Sequence, residues 1–462
     1  MKSAMEFAES LISGMLPFIF LVFCGVYLTV KSGFFQLRFL SESVRYALGG
    51  VFGAKKTKNG ISPFQAACTA LSATVGTGNI AGVAGAVALG GAGAVFWMWL
   101  SAFAGMIVKV FEIVLALYYR EKKGGSFVGG PMYYIKNGLP KAAAPLAWIF
   151  SFAGIFAVFF SGNMTQTNAA VASLNAGLPV KLAGGAVFAV ITALVIIGGA
   201  KRIGLFTEKI VPLMAVIYIL MTFGVIGANF SALPHAFGMI IEGAFSPRAV
   251  TGGLVGSMTA AVMAGATRGV FSNEAGLGTS AMVHSAAAEN DGVKQSLYGI
   301  FEVFADTVVI CTLTALTILC SGVNIEYGKT ASTELVGQAL AGVYGGTSSL
   351  LLAAMMCLFG ISSCIGWGFY GIVCSGYIFG EKGERVFVRL YPLFCIAGAV
   401  CPADAAWRLS AFFNGIMLCV NTFAVMLLAE KAMDPIREFS REYVKRGKKS
   451  DKGKSKIFAG KA

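Results

Sequence analysis

The sequence has very little charge for its length. Of 462 residues, only 13% are Asp, Glu, Lys or Arg, whereas 56% are hydrophobic; soluble domains average about 25% charged residues. This deficit excludes a soluble globular enzyme. The formal net charge of +14 would suggest a nucleic-acid partner in a soluble protein, but here we expect none. We interpret the chain as an all-α polytopic protein of the lipid bilayer.

Histidine is nearly absent, and the ten cysteines form no CxxC pair. His235 and His284 are too few and too far apart for a histidine metal site, so we expect structural or surface roles for both. The cysteines lie in apolar runs, where they act as small hydrophobic side chains. The sequence also has no HExxH and no Walker A segment. These absences argue against an enzyme and against an ATP-driven pump.

Long apolar runs are abundant instead. A membrane helix needs roughly 20 mainly apolar residues. By this measure the sequence predicts eleven spans, at about 14–31, 63–90, 93–119, 145–172, 182–200, 209–229, 251–285, 297–322, 347–378, 387–402 and 408–430. The first ten residues are a poor match to a cleaved signal peptide. We therefore interpret the first span as a retained helix.

The basic residues are distributed unevenly along this pattern. With the N-terminus outside and the C-terminus inside, the inner loops and tail hold 29 of the 36 Lys and Arg residues. Cytoplasmic loops carry such an excess, so we predict a multi-pass protein of the cell (inner) membrane. The basic tail 431–462 is interpreted as solvated in the cytoplasm, with attraction to anionic lipid headgroups as a secondary reading. The remaining basic residues are Lys2, Lys181, Arg248, Lys329 and Arg408 outside, and Lys109 and Arg268 within spans.

The second span contains a polar interruption, "LSATVGTGNIAGVAG", from Leu71 to Gly85. Each glycine costs about 1 kcal/mol relative to alanine in a helix interior. Unpaired backbone in the bilayer survives only where it is buried in protein or lines a cavity. The polar side chains exceed what close packing of small residues requires. We therefore predict a locally unwound helix beside a binding site.

The seventh span has a similar interruption, "AGATRGVFSNEAGLGTSAMV", from Ala264 to Val283. The two share "NIAG" at 79–82 and "NEAG" at 273–276, and five crossings separate them, so any repeat must be inverted. We predict a first helix and basic loop (1–62), two five-helix halves related as an inverted repeat (63–230 and 231–430), and a tail (431–462). Paired interruptions in two halves point to a transport site near the midplane.

Four stretches make the sequence resemble one family, the alanine or glycine:cation symporters. They lie between Thr69 and Ala287 and read "TALSATVGTGNIAGVA", "MWLSAFAGMIVKVFE", "GGPMYYIKNGL" and "GVFSNEAGLGTSAMVHSAA". "VGTGN" at 75–79 is also similar to the first broken helix of neurotransmitter:sodium symporters. The resemblance implies a LeuT-like fold and sodium-coupled uptake of a small neutral amino acid, alanine or glycine.

The resemblance also implies roles for individual residues. Thr77 and Gly78 occupy the place where backbone amides bind the substrate carboxylate. One sodium ion would lie between the carbonyls of Ser72 and Val75 and the hydroxyls of Ser362 and Ser363. A second ion, whose existence the sequence leaves open, would use Thr74 and Asn79. Alternatively, these hydroxyls bond back to their own helices.

Other residues follow from their chemistry and position. The amides of Asn79 and Asn273 both donate and accept, and carbonyls around Gly269–Phe271 are expected to be unwound and to bind the substrate ammonium. Phe271 and Trp367 are predicted to form the pocket wall, although an aromatic residue at helical spacing is usually packing. Gln166 faces either the pocket, which we favour, or another helix.

Ionisable side chains within spans are costly and point to function. Lys109 and Glu112 are three residues apart and are expected to pair with each other. Arg268 and Glu274 flank the second interruption, where they would gate the site or fix the half-helices. Asp306 is a candidate to balance a cation, whereas Glu302 is expected to be solvated near the surface.

The predicted mechanism is alternating access by secondary transport. Three rivals remain open: a channel, proton coupling through Glu274 or Asp306, and an intramembrane enzyme. Serine or glutamine are alternative substrates. The sequence implies no protein partner, and it fixes neither the stereoisomer, the number of sodium ions nor the oligomeric state.

Overall fold

The computed structural model describes residues 11–53, 60–174, 176–245, 258–328 and 332–459. Within these ranges the chain is helical apart from its connections and one antiparallel hairpin, formed by β1 (Glu121–Lys123) and β2 (Ser126–Val128). Several predicted features lie outside the described residues: the start of the seventh span (251–257), part of the first inner loop (54–59), the last residues of the tail (460–462), and Lys2, Arg248 and Lys329.

Six α-helices precede the hairpin. They are α1 (Leu16–Lys31), α2 (Phe35–Arg38), α3 (Leu40–Phe52), α4 (Pro63–Thr74), α5 (Ala81–Gly90) and α6 (Ala94–Tyr118), with a π-helical turn at Leu11–Met15 and a 3-10 turn at Thr77–Asn79. The start of α4 is fixed by a capping box, in which Ser62 and Gln65 each bond the other's backbone N–H, with Pro63 in the first turn.

Six more helices follow the hairpin. They are α7 (Pro131–Gly138), α8 (Ala144–Phe159), α9 (Thr165–Ala172), α10 (Leu178–Ile196), α11 (Gly199–Ala228) and α12 (Leu233–Phe245). A π-helical segment, Phe160–Met164, joins α8 to α9, and 3-10 turns lie at Lys141–Ala143 and Phe230–Ala232. The π segment contains "SGN" and places one extra residue in the turn, which rotates the following helix.

The rest of the described chain is also helical. Its helices are α13 (Met258–Asn273), α14 (Thr279–Ser285), α15 (Gly292–Val303), α16 (Thr312–Cys320), α17 (Glu334–Tyr344), α18 (Ser348–Leu390), α19 (Leu393–Val400), α20 (Ala403–Leu427) and α21 (Ala429–Ala459). A second π-helical segment, Phe304–Cys311, joins α15 to α16, and a 3-10 turn lies at Gly345–Thr347.

Many of these helices suit a bilayer. Within the described ranges, seven helical segments are long and apolar enough to cross a membrane, and the bent pair α4 and α5 makes an eighth. Helix α1 is apolar but only 16 residues long. The protein is therefore a mostly helical, multi-pass membrane protein, while eleven spans and their orientation stay predictions.

Helix α18 is broken close to the predicted end of the ninth span. It runs for 43 residues to Leu390 and changes direction at Gly380, where φ is 65°. Only glycine adopts such a backbone readily. This break lies two residues after the expected end of the ninth span at 378, and the region predicted as the tenth span, 387–402, is divided between the end of α18 and the eight-residue α19.

Helix α6 lies at the centre of the bundle. Its most apolar stretch is 89% buried, and it packs against α1, α13, α14 and α15. Close approach depends on small residues: a Cβ atom on Gly25 of α1 would overlap the backbone of Ala104. All ten cysteines are free, and none is exposed.

Candidate functional site

The first interruption opens the helix between Thr74 and Ala81. Val75 and Gly76 are extended, and the two helical parts are bent by 55°. The amide of Gly76 donates to Asn79 Oδ1 at 2.9 Å instead of to the helix carbonyl of Ser72. The predicted unwinding is therefore confirmed, and it releases backbone carbonyls from the helical ladder.

The second interruption lies slightly later than predicted. Helix α13 continues to Asn273, and the chain is non-helical from Glu274 to Gly278. The backbone of Glu274, Gly276 and Gly278 has positive φ. The expected unwinding at Gly269–Phe271 is wrong, because these residues are helical and their carbonyls lie within the α-helical segment.

A buried carboxylate joins the two interruptions. Asp306, in the second π segment, accepts from Asn79 Nδ2 at 2.6 Å, from Ser272 Oγ at 2.7 Å and from Thr307 Oγ1 at 2.8 Å. Asn273 Nδ2 donates to Thr307 Oγ1 at 3.2 Å. All five residues are buried. We refer to Asn79, Ser272, Asn273, Asp306 and Thr307 as the Asp306 cluster.

A cavity lies beside this cluster. Ser272 belongs to both the cluster and the cavity wall. Five residues predicted from sequence line the cavity: Thr74, Gly78, Gln166, Phe271 and Trp367. A Cβ atom at Gly78 would meet no atom within 4 Å, which shows that this glycine faces open space.

Thr77 is held at the edge of the cavity by Gln166. Its backbone N–H and its hydroxyl both donate to Gln166 Oε1, at 3.0 and 2.9 Å. Gln166 Nε2 in turn donates to the carbonyl of Ser161 at 3.2 Å. Gln166 Oε1 therefore accepts from the backbone N–H of Thr77 at the start of the 3-10 turn. The resemblance assigns this N–H to the substrate carboxylate.

The residues expected to bind sodium divide into two groups. Ser72 and Thr74 donate their hydroxyls to their own helix, in agreement with the alternative of back-bonding. Ser363 Oγ lies 3.5 Å from the carbonyl of Ala73, whereas Ser362 donates to Phe359 and to Met214 Sδ. Val75 is buried at the end of α4. Ser363 thus lies beside the interruption, and Ser362 points away from it.

Two predictions about buried charges are wrong. Lys109 does not pair with Glu112: its Nζ lies 3.2 Å from Glu302 Oε2. Glu302 is fully buried rather than solvated. Although helical spacing allows Lys109 and Glu112 to meet, the facing helix α15 offers Lys109 a carboxylate instead.

Glu112 has different partners. Its Oε1 accepts from Asn421 Nδ2 at 2.5 Å and from the N–H of Gly278 at 3.2 Å, and Asn421 also donates to the carbonyl of Gly276 at 2.8 Å. Glu112 therefore stabilises the irregular backbone of the second interruption. Glu274 accepts from Thr279 at 2.7 Å, so it too fixes the start of the following helix.

The cavity also contains residues that the sequence did not assign to its wall. Arg268 and Glu274 line it, and the Arg268 guanidinium lies 4.7 Å from the ring centre of Trp407. Trp407 also lines a second cavity toward the predicted outer side. Ser161, Thr165 and Ser272 complete the polar wall. A sequence signal existed for Arg268, an arginine within an apolar span, but none for Trp407.

These features define a class of protein. Apolar helices surround a buried polar cavity, and two of them are interrupted where they meet. Interrupted helices at the centre of a bundle are typical of membrane transporters that hold a small solute midway across the bilayer.

The comparisons then identify the family. The sequence model of the sodium:alanine symporter family matches residues 1–454, and the chain belongs to this family. It is 37% identical over 449 residues to the sodium/alanine symporter AgcS of Methanococcus maripaludis, covering 95% of this chain and 97% of AgcS. It is also 37% identical over 437 residues to the probable sodium/glutamine symporter GlnT of Bacillus subtilis, covering 94% and 90%. The protein is therefore a transporter and not an enzyme.

A solved structure shows the same fold. The crystal structure of MhsT in complex with L-phenylalanine aligns with a TM-score of 0.56 at 13% identity, covering 82% of this chain and 99% of MhsT. The likeness agrees with the LeuT-like fold that the resemblance implied.

Proposed function

We propose that the protein is a symporter that couples sodium influx to uptake of a small neutral amino acid, alanine or glycine, across the cell membrane by alternating access. The observation that carries the proposal is the Asp306 cluster: a buried carboxylate and two amides join both helix interruptions beside a polar cavity. Buried charge in a membrane protein requires a partner, and a small cation supplies one.

The cavity is the proposed substrate site. A zwitterion needs donors for its carboxylate and acceptors for its ammonium. The amide of Gly78 lies at the start of the 3-10 turn, where the glycine leaves the backbone open to the cavity. Gln166, Glu274 and Ser272 supply side-chain oxygens around the same space. Phe271 and Trp367 limit the volume left for a substrate side chain.

Two sodium positions are proposed. One is the Asp306 cluster, where the oxygens of Asp306, Asn79 and Thr307 would replace ion hydration. The other lies between the carbonyls of Ser72 and Val75 and the hydroxyl of Ser363. Ser362 is the weaker of the two serines for this role, because its hydroxyl bonds Phe359 and Met214.

The driving force is adequate for such coupling. One sodium ion crossing a potential of about 100 mV releases about 2.3 kcal/mol, and a tenfold sodium gradient adds about 1.4 kcal/mol. Together they sustain roughly a 500-fold amino-acid gradient at one-to-one coupling. The inverted five-helix halves, 63–230 and 231–430, are the proposed moving parts.

The test is uptake of labelled alanine into proteoliposomes with and without an inward sodium gradient. We expect sodium to increase uptake by tenfold or more in the native protein, and Asn79→Ala and Asp306→Asn to remove most of the increase. Potassium in place of sodium is the ionic control. Unlabelled glycine, serine and glutamine, added as competitors, rank the substrates.

The alternative coupling ion gives a different result. If a proton replaces sodium, an inward pH gradient drives alanine uptake in sodium-free buffer. That outcome would reject sodium coupling while retaining the cavity as the substrate site. Equal uptake in all conditions, with native protein and Asn79→Ala, would reject the whole proposal.

A further inference from the structure

Arg268 is a charged side chain within an apolar span, and the transport scheme proposed above does not use it. It lies on α13, three and four residues before Phe271 and Ser272, so the three side chains share one face of the helix and line the same cavity. A charge inside a membrane helix is costly unless it has a partner. The partner of the guanidinium therefore indicates what Arg268 does.

The Arg268 side chain extends from α13 across α5 to α20. A Cβ atom placed on Gly82 of α5 would lie 3.7 Å from Arg268 Cδ, so the aliphatic part of the arginine passes over this glycine. The guanidinium ends 4.7 Å from the ring centre of Trp407 on α20. Gly82 and Trp407 both line the cavity, and Trp407 also lines the outer cavity. Arg268 therefore lies where the two cavities approach each other.

No carboxylate among the described residues pairs with this guanidinium. Within the described chain, Arg268 forms neither an ion pair nor a hydrogen bond through its side chain. Its contact with the Trp407 ring stabilises the positive charge, but a ring face satisfies none of the five N–H donors that a guanidinium carries. These donors are therefore available to an acceptor in the cavity.

Glu274 supplies the opposite charge on the same cavity wall. Its Oε2 accepts from Thr279 Oγ1 at 2.7 Å, and it forms no ion pair with Arg268 or with any other described residue. An inorganic anion such as chloride would compensate Arg268 and leave Glu274 uncompensated, whereas a zwitterion compensates both at once. The charges of the wall therefore favour a ligand with both a carboxylate and an ammonium group.

We propose that Arg268 and the backbone amide of Gly78 bind the substrate carboxylate between them. Gly78 and Gly82 are four residues apart and both line the cavity, so the arginine that passes over Gly82 approaches a carboxylate at Gly78 from the side of Trp407. A guanidinium presents two parallel N–H groups to a carboxylate, and such charge-assisted bonds are roughly twice as strong as neutral ones. This role rests on the proposed transport function and adds a residue that selects for the carboxylate.

Alanine and alaninamide test the contact, because they differ in the carboxylate alone. Their affinities are measured on purified protein in detergent with saturating sodium, from the rise in unfolding temperature as ligand is added. We expect the native protein to bind alanine more tightly than alaninamide by about tenfold or more. Arg268→Gln should weaken alanine binding by about tenfold to a hundredfold and alaninamide binding by less than about twofold.

Two further variants separate the contact from a general change in the cavity. Arg268→Lys keeps the charge but not the planar fork, so it should restore only part of the alanine affinity. Lys181→Gln removes a positive charge on the predicted outer side and lines neither cavity, so both ligands should bind as in the native protein. The unfolding temperature without ligand shows whether each variant folds. If Arg268→Gln does not fold, an alanine affinity unchanged in Arg268→Lys would overturn the contact.

The remaining outcomes distinguish this contact from the proposed function. Absence of alanine binding by the native protein would reject the proposed function, and the role of Arg268 with it. Equal weakening of alanine and alaninamide in Arg268→Gln, or no weakening of either, would overturn the carboxylate contact alone. If chloride is the partner, exchange of chloride for methanesulfonate would weaken alanine binding, and the preference for alanine over alaninamide would survive in Arg268→Gln. That result would also overturn the contact.

Discussion

At the scale of single residues, the geometry of the candidate site depends on glycines, which have no Cβ atom. A Cβ atom added to Gly78 would meet no atom within 4 Å on the cavity side, and the φ of this glycine is not positive. Gly76 differs, because a Cβ there would collide with Ser363 and Gln166. One glycine therefore leaves open space beside the cavity, and the other allows helices to approach.

Gly78→Ala tests this distinction. The added methyl group fits the backbone but occupies part of the cavity, so we expect normal folding and an increase in KM for alanine of about tenfold, equivalent to about 1.4 kcal/mol. Uptake kinetics and thermal unfolding measure the two effects. Gly227→Ala, at an exposed helical glycine with open space, is the matched control. An unchanged KM in Gly78→Ala would show that the substrate does not occupy this space.

At the scale of elements, the sequence located the first interruption well and the second less well. The glycine, threonine and asparagine residues at 76–79 interrupt the helix at the position that the sequence predicts. In the seventh span, Gly269 does not break α13, because it packs against Ser101 and Met98 of α6. Tertiary contact overrides a weak helix propensity there, and no local pattern reports such contact.

Buried ion pairs also depend on tertiary contacts that a local sequence pattern does not predict. Spacing along one helix favours Lys109 with Glu112, yet the structure brings Lys109 to Glu302, 193 residues away. The two π segments, Phe160–Met164 and Phe304–Cys311, are also absent from the sequence prediction, since no local residue pattern distinguishes a π-helical turn from an α-helical one. The second of them contains Asp306, so its geometry helps to direct the carboxylate inward.

Arg120, which directly precedes the hairpin, binds the backbone at the end of α14. Arg120 donates to the carbonyls of Ser285, Ala287 and Glu289 at 2.8–3.2 Å, groups left unpaired where α14 ends. We expect Arg120→Ala to lower the free energy of unfolding by about 2 kcal/mol, with faster hydrogen exchange at 286–290. Thermal unfolding in detergent and exchange measure these changes.

Two variants make this measurement specific. Arg120→Lys retains the charge but not the planar fork, so it should restore only part of the stability. Arg385→Ala removes an exposed i,i+4 pair and should change stability by less than about 0.5 kcal/mol. Equal effects of Arg120→Ala and Arg385→Ala would contradict the anchoring role of Arg120.

At the scale of the whole molecule, the distribution of basic residues predicts the orientation. Loops rich in Lys and Arg stay in the cytoplasm, so the orientation with the N-terminus outside stays a prediction from the sequence. Apolar composition and the motifs around the two interruptions were enough to predict a membrane transporter and its family.

Thiol labelling tests the orientation. Ser231→Cys, in a predicted outer turn, should react with an impermeant maleimide in intact cells, and Lys382→Cys, in a predicted inner region, only after permeabilisation. Both positions are exposed, and the native cysteines are not, so the unmodified protein serves as the background control. The reverse labelling pattern would invert the topology.

Trp407 lines both the cavity beside the Asp306 cluster and the outer cavity, and it is the residue that both share within the described chain. Rotation of an exposed side chain takes nanoseconds or less, whereas shifting packed helices takes microseconds to milliseconds; we expect Trp407, which is half-buried against Arg268, to turn faster than the helices shift. A solute at the outer face would accordingly enter and leave many times for every crossing. The carrier would then sample its surroundings at near equilibrium, and its selectivity would be decided before any helix moves.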